Sequence, residues 1–395
     1  MRKLIFITLL FLFNSLPVSG QTRTISFSEK PEHAVLIIVD GLSYKAWENE
    51  NLPVMENMLS DGALVEKTFL PPAAHPKTGS YAEIHTCSIP NPILMSGTLF
   101  ITKNTLYLQD MFPGKITAFV ANASVYGTIA NNYSLSYQID GKDDDAVNAA
   151  IEFMRLYKPS FMRIHLQDTG GAGTQSMTTS DNSSWKQNIW AQDSPYRKSL
   201  IHADRLIGLF AAELAKEGVL EKTVIIITGD HGQSDTGWHP LELWDSSITT
   251  TIFSGAGIKK GTRIPYSELI DITPTICRLM DVQVPDTVQG RVIGEILLNP
   301  PLNFRNPAEK IKELNIQFAE YRKKKNEVLH KIENLNSVGN GGYFSTFNND
   351  IEANFYDISK FSEWTKFNSI DALLENNGNV LKELDKLAEK VNAGE

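Results

Sequence analysis

The residues best suited to chemistry lie in one stretch, Ile225 to His239. The branched apolar run Ile225-Ile226-Ile227-Thr228 leads straight into Gly229-Asp230-His231-Gly232. A carboxylate followed at once by an imidazole, both clear of a strand end, offers the hard and borderline ligands that suit Zn²⁺. The flanking glycines let the backbone turn sharply and approach a ligand closely. His239 follows in Thr236-Gly237-Trp238-His239-Pro240. Two more aspartates repeat the layout, in Val39-Asp40-Gly41 and in His165-Leu166-Gln167-Asp168-Thr169-Gly170-Gly171. An aspartate before glycine at a strand end often only caps a turn. Three of them with two nearby histidines exceed what turns need. Packed together without a cation, the carboxylates would repel and one would take up a proton. The expected metal set is therefore Asp40, Asp168, Asp230, His231 and His239, holding one or two divalent ions, with zinc favoured by ligand type.

The elements that must position this set are short apolar runs rich in branched residues: Val35–Val39, Ile116–Val120, Phe161–Leu166, Val224–Thr228 and Ile248–Phe253. They read as buried parallel strands. Between them lie helical patterns, the clearest from Pro195 to Lys216, with Ser194 as N-cap, Pro195 at the first helical position and Gly218 just past the end. Strands alternating with helices imply an α/β fold, a mostly parallel central sheet flanked by helices. Ligands in such folds bind outside the carboxyl ends of the strands, where Asp40, Asp168 and Asp230 all stand.

The N-terminus reads as an export leader over residues 1–20. Arg2 and Lys3 precede the apolar run Leu4–Phe13, and Val18-Ser19-Gly20 offers the small-residue cleavage pattern. The run is short for a membrane span and none like it follows, so a mature chain with no transmembrane segment, periplasmic or secreted, is expected. The formal charge of −9 becomes −11 once Arg2 and Lys3 are gone. A surface so acidic does not attract nucleic acid on charge alone. Cys87 and Cys277, the two cysteines, make no disulfide framework.

The catalytic unit is expected over 21–299. Pro300-Pro301 breaks the chain, and a lysine-rich helical segment follows over 300–395. Ile311, Leu314, Phe318, Tyr321, Val328, Ile332 and Leu335 make a heptad-like stripe, and Val380, Leu384, Leu387 and Val391 a second one. These read as a helical appendage packed on the catalytic unit, with a homodimer through these helices as the alternative. Trp185, Trp190 and Tyr196 either line a substrate cleft or anchor a surface loop.

Together, His33–Gly41, Thr86–Gly97, Ile164–Gly171 and Ser194–Ile258 resemble the alkaline phosphatase superfamily, and within it type I phosphodiesterases and nucleotide pyrophosphatases. Asp230-His231-Gly232-Gln233-Ser234-Asp235-Thr236-Gly237-Trp238-His239 also resembles GPI ethanolamine phosphate transferases. Asp271-Ile272-Thr273-Pro274-Thr275, then Gln289-Gly290-Arg291, is similar to the closing part of sulfatase-like domains. The resemblance implies an alkaline phosphatase-like fold over roughly 33 to 298. It implies a metal-dependent hydrolase of phosphate mono- or diesters, small molecules, working through a covalent phospho-enzyme. It gives Asp40, Asp230 and His231 to one metal and Asp168 and His239 to a second. Where the phosphodiesterase pattern ends in histidine, this chain has Ala172, leaving the second metal a ligand short unless His165 or His202 substitutes. The segment His85–Gly97 reads as a turn opening a helix. Aligned on Pro90-Asn91 the nucleophile is Ser88; aligned on Ser96-Gly97 it is Cys87; Thr86 is the residue type such enzymes most often use. Asn104 falls where related enzymes contact the phosphoryl oxygen. A sulfatase is the nearest alternative, although Cys87-Ser88-Ile89-Pro90-Asn91 departs from the Cys-x-Pro-x-Arg pattern. A non-catalytic binding protein of the same fold is the other.

Overall fold

The computed structural model of the protein describes residues 26–70, 76–87, 106–240, 243–285, 288, 290–301, 308–335, 340–357, 360, 363, 366, 367 and 370–393. The leader, Ser88 and Asn104 lie outside them. The strands are β1 (His33–Val39), β2 (Gly62–Phe69), β3 (Thr117–Ala121), β4 (Leu135–Gln138), β5 (Phe161–Leu166), β6 (Thr223–Thr228), β7 (Ile248–Gly255) and β8 (Thr262–Glu268). They form one eight-stranded sheet in the order β4-β3-β5-β1-β6-β7-β2-β8. The longer helices are α1 (Pro53–Ser60), α2 (Pro76–Thr86), α3 (Asp143–Tyr157), α4 (Asp168–Thr178), α5 (Pro195–Lys216), α6 (Ile272–Met280), α7 (Ala308–Glu333) and α8 (Ile370–Ala393).

All five apolar runs become strands, and the fold is α/β with a mostly parallel sheet. One expectation is corrected. Ile248–Phe253 lies in β7, which runs antiparallel to both β6 and β2. The chain leaves β6 at its carboxyl end and re-enters the sheet from that same edge, so the next strand must run back. A strand buried on both faces carries no mark of its direction, which is why its sequence reads the same either way. β2, β4 and β8 escape the apolar pattern because Glu66-Lys67 interrupts the first, the second is short and polar, and the third carries Pro265 and alternates with solvent.

The sheet separates two apolar clusters. Val35, Ile37, Met162, Ile164, Ile225 and Ile227 pack against α1, α3 and α5 on one face. Ala34, Leu36, Ile38, Phe161, Val224 and Ile226 pack on the other, against α2, α6 and the C-terminal helices. Because side chains alternate along a strand, Arg163 and His165 share the second face with Phe161. α5 forms where expected. The Ser194 hydroxyl accepts from the Tyr196 N–H at 3.1 Å, and Gly218 has φ +68° just past the helix. Its buried Leu200, Leu206, Ile207, Phe210 and Leu214 each contribute about 1.5–3 kcal/mol. The two C-terminal stripes are buried within the chain: Leu314, Phe318, Tyr321, Val328 and Ile332 on α7, Val380, Leu384, Leu387 and Val391 on α8. α7 and α8 pack on each other, and α7 packs on β8. No described helix is long and apolar enough to cross a membrane.

One buried group on this face has a stability consequence. Glu83, in α2, is fully buried and neither carboxylate oxygen has a hydrogen-bond partner. Burial raises its pKa well above the usual range, and the nearby Glu268 carboxylate adds to the shift. The folded state therefore holds a proton that the unfolded chain releases above the ordinary glutamate value. Stability is greatest below that value and falls as pH rises toward the folded pKa. Glu83→Gln removes this loss. Its melting temperature is expected to exceed wild type at pH 8, by a margin equivalent to about 1–3 kcal/mol, with the difference shrinking toward pH 4. A constant difference across that range, in melts followed by circular dichroism, would count against it.

Candidate metal centre

β5, β1 and β6 are adjacent, and their carboxyl ends bring three loops together. Asp40 follows β1, Gln167 and Asp168 follow β5, and Asp230 and His231 follow β6. Because β7 returns from the same edge, the loop carrying His231, Gln233 and His239 also stays there. Asp40, Asp230 and His231 are all buried. His231 Nε2 lies 3.6 Å from Asp40 Oδ1 and 3.5 Å from Asp230 Oδ2. Asp230 Oδ1 accepts from the Gly41 N–H at 3.0 Å, which ties the β6 loop to the turn after β1. The Tyr196 hydroxyl holds that turn from the other side, donating to Gly41 O at 2.8 Å and accepting from Ser43 N–H at 3.1 Å. Tyr196 and Trp190, in edge-on contact at 5.4 Å, thus anchor a loop.

The tautomer of His231 decides what this arrangement wants. His231 Nδ1 is 2.7 Å from Gly232 O, a contact that requires the proton on Nδ1. In the neutral ring Nε2 then presents a lone pair to two carboxylate oxygens. Neither His231 Nε2 nor Asp230 Oδ2 has a hydrogen-bond partner. Such a buried set of acceptors, two of them carboxylates, is costly alone and is relieved by a cation among them. A histidine whose second nitrogen donates to a backbone carbonyl is also the usual state of a metal ligand. The donors present fit a divalent ion.

Two close approaches depend on glycine. A Cβ on Gly170 would stand 1.8 Å from Asp40 Oδ1, and one on Gly173 would stand 2.0 Å from Gln233 Nε2. α4 therefore turns a glycine face to the centre. Ala172, between them, packs with the apolar cluster on the other side.

The other expected residues are placed as follows. His239 is buried, its ring 4.1 Å from His231 and stacked on Trp238 at 4.4 Å. Asp168 opens α4 and is not gathered with Asp40 and Asp230. Its oxygens face the Asn122 amide and the Asp143 N–H, each at 3.4 Å, and Lys142 at 3.9 Å. His202 pairs with Asp144 at 2.6 Å on the outer side of α5. Thr86 closes helix α2, and Cys87 follows it with φ +53°. The described start of the His85–Gly97 segment is thus the end of a helix, held by the Cys87 N–H to Glu83 O bond of 2.9 Å. The Cys87 thiol is buried, and burial raises its pKa, with the nearby Cys277 and Asp271 adding to the shift.

His165, expected only as a substitute ligand, stands at the centre, and Gln167 and Tyr81, which spacing did not mark, stand beside it. His165 Nε2 lies 3.3 Å from Asp40 Oδ2, and His165, Asp40 and Asp230 offer ligand atoms within 4.8 Å of one another. The Gln167 amide donates to Asp40 Oδ2 at 3.2 Å. The Tyr81 ring is 5.3 Å from His165, and burial followed by Asp230 raises its hydroxyl pKa far above the ordinary value. The one available signal was in β5, where Arg163 and His165 sit two apart inside an otherwise apolar run.

A family model for sulfatases matches residues 97–282. The solved phosphonate monoester hydrolase of Silicibacter pomeroyi superposes with a TM-score of 0.55, covering 69% of this chain and 78% of its own at 14% identity. A 2-O GAG sulfatase superposes with a TM-score of 0.54, covering 71% and 76% at 14% identity. The fold is alkaline phosphatase-like, of the sulfatase type. By sequence, mouse arylsulfatase K is 26% identical over 113 residues, 27% of this chain and 20% of the relative. The matched part of this chain thus spans about a fifth of the curated relative's length.

Proposed function

We propose that this chain is an exported metal-dependent hydrolase that cleaves phosphate mono- or diesters of small molecules. The observation that carries the reading is the buried lone pair of His231 set against the Asp40 and Asp230 carboxylates. Asp40, Asp230 and His231 would hold the ion, zinc by ligand type. When bound, it supplies positive charge to the transferring group and lowers the pKa of a nearby hydroxyl. The chain's own residues do the rest. Gln167 and Gly41 fix the Asp40 and Asp230 carboxylates by hydrogen bonds, α4 closes over them through Gly170, and burial keeps water from screening the site. Ser88, next after Cys87, is the proposed nucleophile. Its oxygen would bond to phosphorus, its proton passing to solvent, as the ester oxygen leaves with the electron pair; water would then cleave the phosphoseryl bond, releasing phosphate from a monoester or a phosphate monoester from a diester. Asn104 is proposed to contact the phosphoryl oxygen. Asp168 and His239 are the proposed support for a second ion.

A sulfate ester is the second reading, favoured by the sulfatase family model and by the names of the relatives. One comparison tests both. Zinc-loaded protein is expected to turn over nitrophenyl phosphate or bis-nitrophenyl phosphate, with Ser88→Ala losing that activity and Cys87→Ala keeping it. Faster turnover of nitrophenyl sulfate, lost in Cys87→Ala, selects the sulfatase. Equal rates for wild type and Asp230→Ala on all three substrates reject both.

A further inference from the structure

Arg163 is fully buried in the middle of β5, and among the described residues no carboxylate pairs with it. Its guanidinium lies over the rings of Tyr81, Phe119 and Tyr126 at 5.2, 5.0 and 5.5 Å. Its two polar partners are imidazoles, His85 Nε2 at 2.6 Å and His165 Nδ1 at 3.1 Å. A buried cation without an anion is costly, so the contacts it does make carry information.

The direction of every hydrogen bond in this group can be assigned. Gln109 Nε2 donates to Ile129 O at 3.1 Å and Asn131 O at 2.8 Å, which leaves Gln109 Oε1 as an acceptor. His85 Nδ1, 3.2 Å away, must donate to it, so His85 Nε2 accepts from Arg163. The guanidinium has only donors, so His165 Nδ1 accepts as well. A neutral His165 then carries its proton on Nε2, which faces Asp40 Oδ2 at 3.3 Å. Burial lowers the pKa of both histidines, consistent with neutral rings.

We infer that Arg163 is a positioning residue, holding His165 as the Nε2–H tautomer that donates to Asp40, so that His165 orients this carboxylate and does not itself ligate the ion. His165 and His231 are thus opposite in kind. His231 donates from Nδ1 to a carbonyl and offers a lone pair on Nε2; His165 accepts on Nδ1 and offers a proton on Nε2. Distance alone would make His165 a ligand, and the guanidinium behind it rules that out. The side of Asp40 that His165 occupies is closed to a second ion by a proton backed by a positive charge.

The consequence for the ion rests on the metal-centre reading; the tautomer does not, and the two are measured separately. Ring ¹⁵N NMR of metal-free wild type, with His165 assigned by its loss in His165→Gln, is expected to show the Nε2–H tautomer, unchanged when Zn²⁺ is added. In Arg163→Met that fixed tautomer is lost. Zinc affinity, read by competition with a chromophoric chelator, is expected to stay at the wild-type level in His165→Gln, whose amide can accept from Arg163 and donate to Asp40. His165→Leu, which can do neither, should weaken it about 10–100-fold. The inference is overturned by a His165 Nε2 resonance that moves to a metal-bound position with Zn²⁺. It is also overturned by an Arg163→Met protein with the wild-type tautomer, or by His165→Gln binding as weakly as His165→Leu. Should Arg163→Met or His165→Leu fail to fold, the wild-type spectra and the His165→Gln affinity decide alone. If wild type binds no zinc while the Nε2–H tautomer is present, the metal reading fails and the role of Arg163 stands.

Discussion

Replacing Asp230 by alanine is expected to weaken zinc binding by more than about 100-fold, because residues that only support metal ligands already cost 10–100-fold. Hydrolysis should fall with it. Stability of the metal-free protein should move differently. Asp230 Oδ1 accepts the Gly41 N–H, so alanine leaves that buried donor unpaired, a loss of about 1–3 kcal/mol. Against this, it removes a carboxylate facing Asp40 and the His231 lone pair. Asp230→Asn separates the two effects, since the amide oxygen keeps the Gly41 bond and the charge is gone. Metal-free Asp230→Asn is therefore expected to melt above metal-free wild type while binding zinc as poorly as Asp230→Ala. Zinc titration and thermal melts in chelator check both. An asparagine variant that binds zinc like wild type would remove Asp230 from the centre.

Gly170→Ala is expected to act as strongly without touching a ligand directly. Its added methyl would stand 1.8 Å from Asp40 Oδ1, 2.6 Å from Cγ and 3.1 Å from Cβ. Those distances admit no small adjustment: either the Asp40 carboxylate leaves its position or α4 lifts away. Asp40 is held by Gln167 and by His165, and α4 follows β5 directly, so both routes cost energy. Overpacking of this kind costs about 1–3 kcal/mol. Either route also separates the Asp40 oxygen from its partners, so zinc affinity should drop along with the melting temperature. Gly171→Ala, one residue on, meets nothing within 4 Å, so it should leave zinc affinity unchanged and raise the melting temperature by the equivalent of about 0.5–1 kcal/mol. A Gly170→Ala protein that keeps wild-type zinc affinity and melts higher, as Gly171→Ala should, would show that the approach to Asp40 does not matter.

The residues themselves determined a good deal. Three of the five runs of branched apolar side chains lead into Asp, which places carboxylates at one edge of a parallel sheet because strand direction and carboxyl end are properties of the chain. Asp40, Asp168 and Asp230 are candidates on that ground, with the grouping of Asp40, Asp230 and His231 added by the family resemblance; the helix from Pro195 follows from a cap and terminating glycine that are local. Amphipathic stripes in the C-terminal segment likewise mark the faces that become buried. Other outcomes had to wait for the fold. β7 runs antiparallel because a connection stayed at one edge, a property of the path and not of the strand. The expected ligand Asp168 stands at a strand end like Asp40, yet its carboxylate turns to Asn122 and Lys142. Only packing decides where a side chain points once it leaves the strand. His165 shows the limit most plainly. Its type and place suggested a substitute ligand, and the tertiary structure put a buried guanidinium behind its other nitrogen. Which nitrogen of an imidazole bears the proton is set by its packed partners, here Arg163 beside His165, itself bonded to the distant His85 and Gln109, and the neighbouring Gly232 carbonyl beside His231. The chain therefore specifies which carboxylates stand at the strand ends, and the packed structure specifies which of them meet and which imidazole can offer a lone pair to a metal.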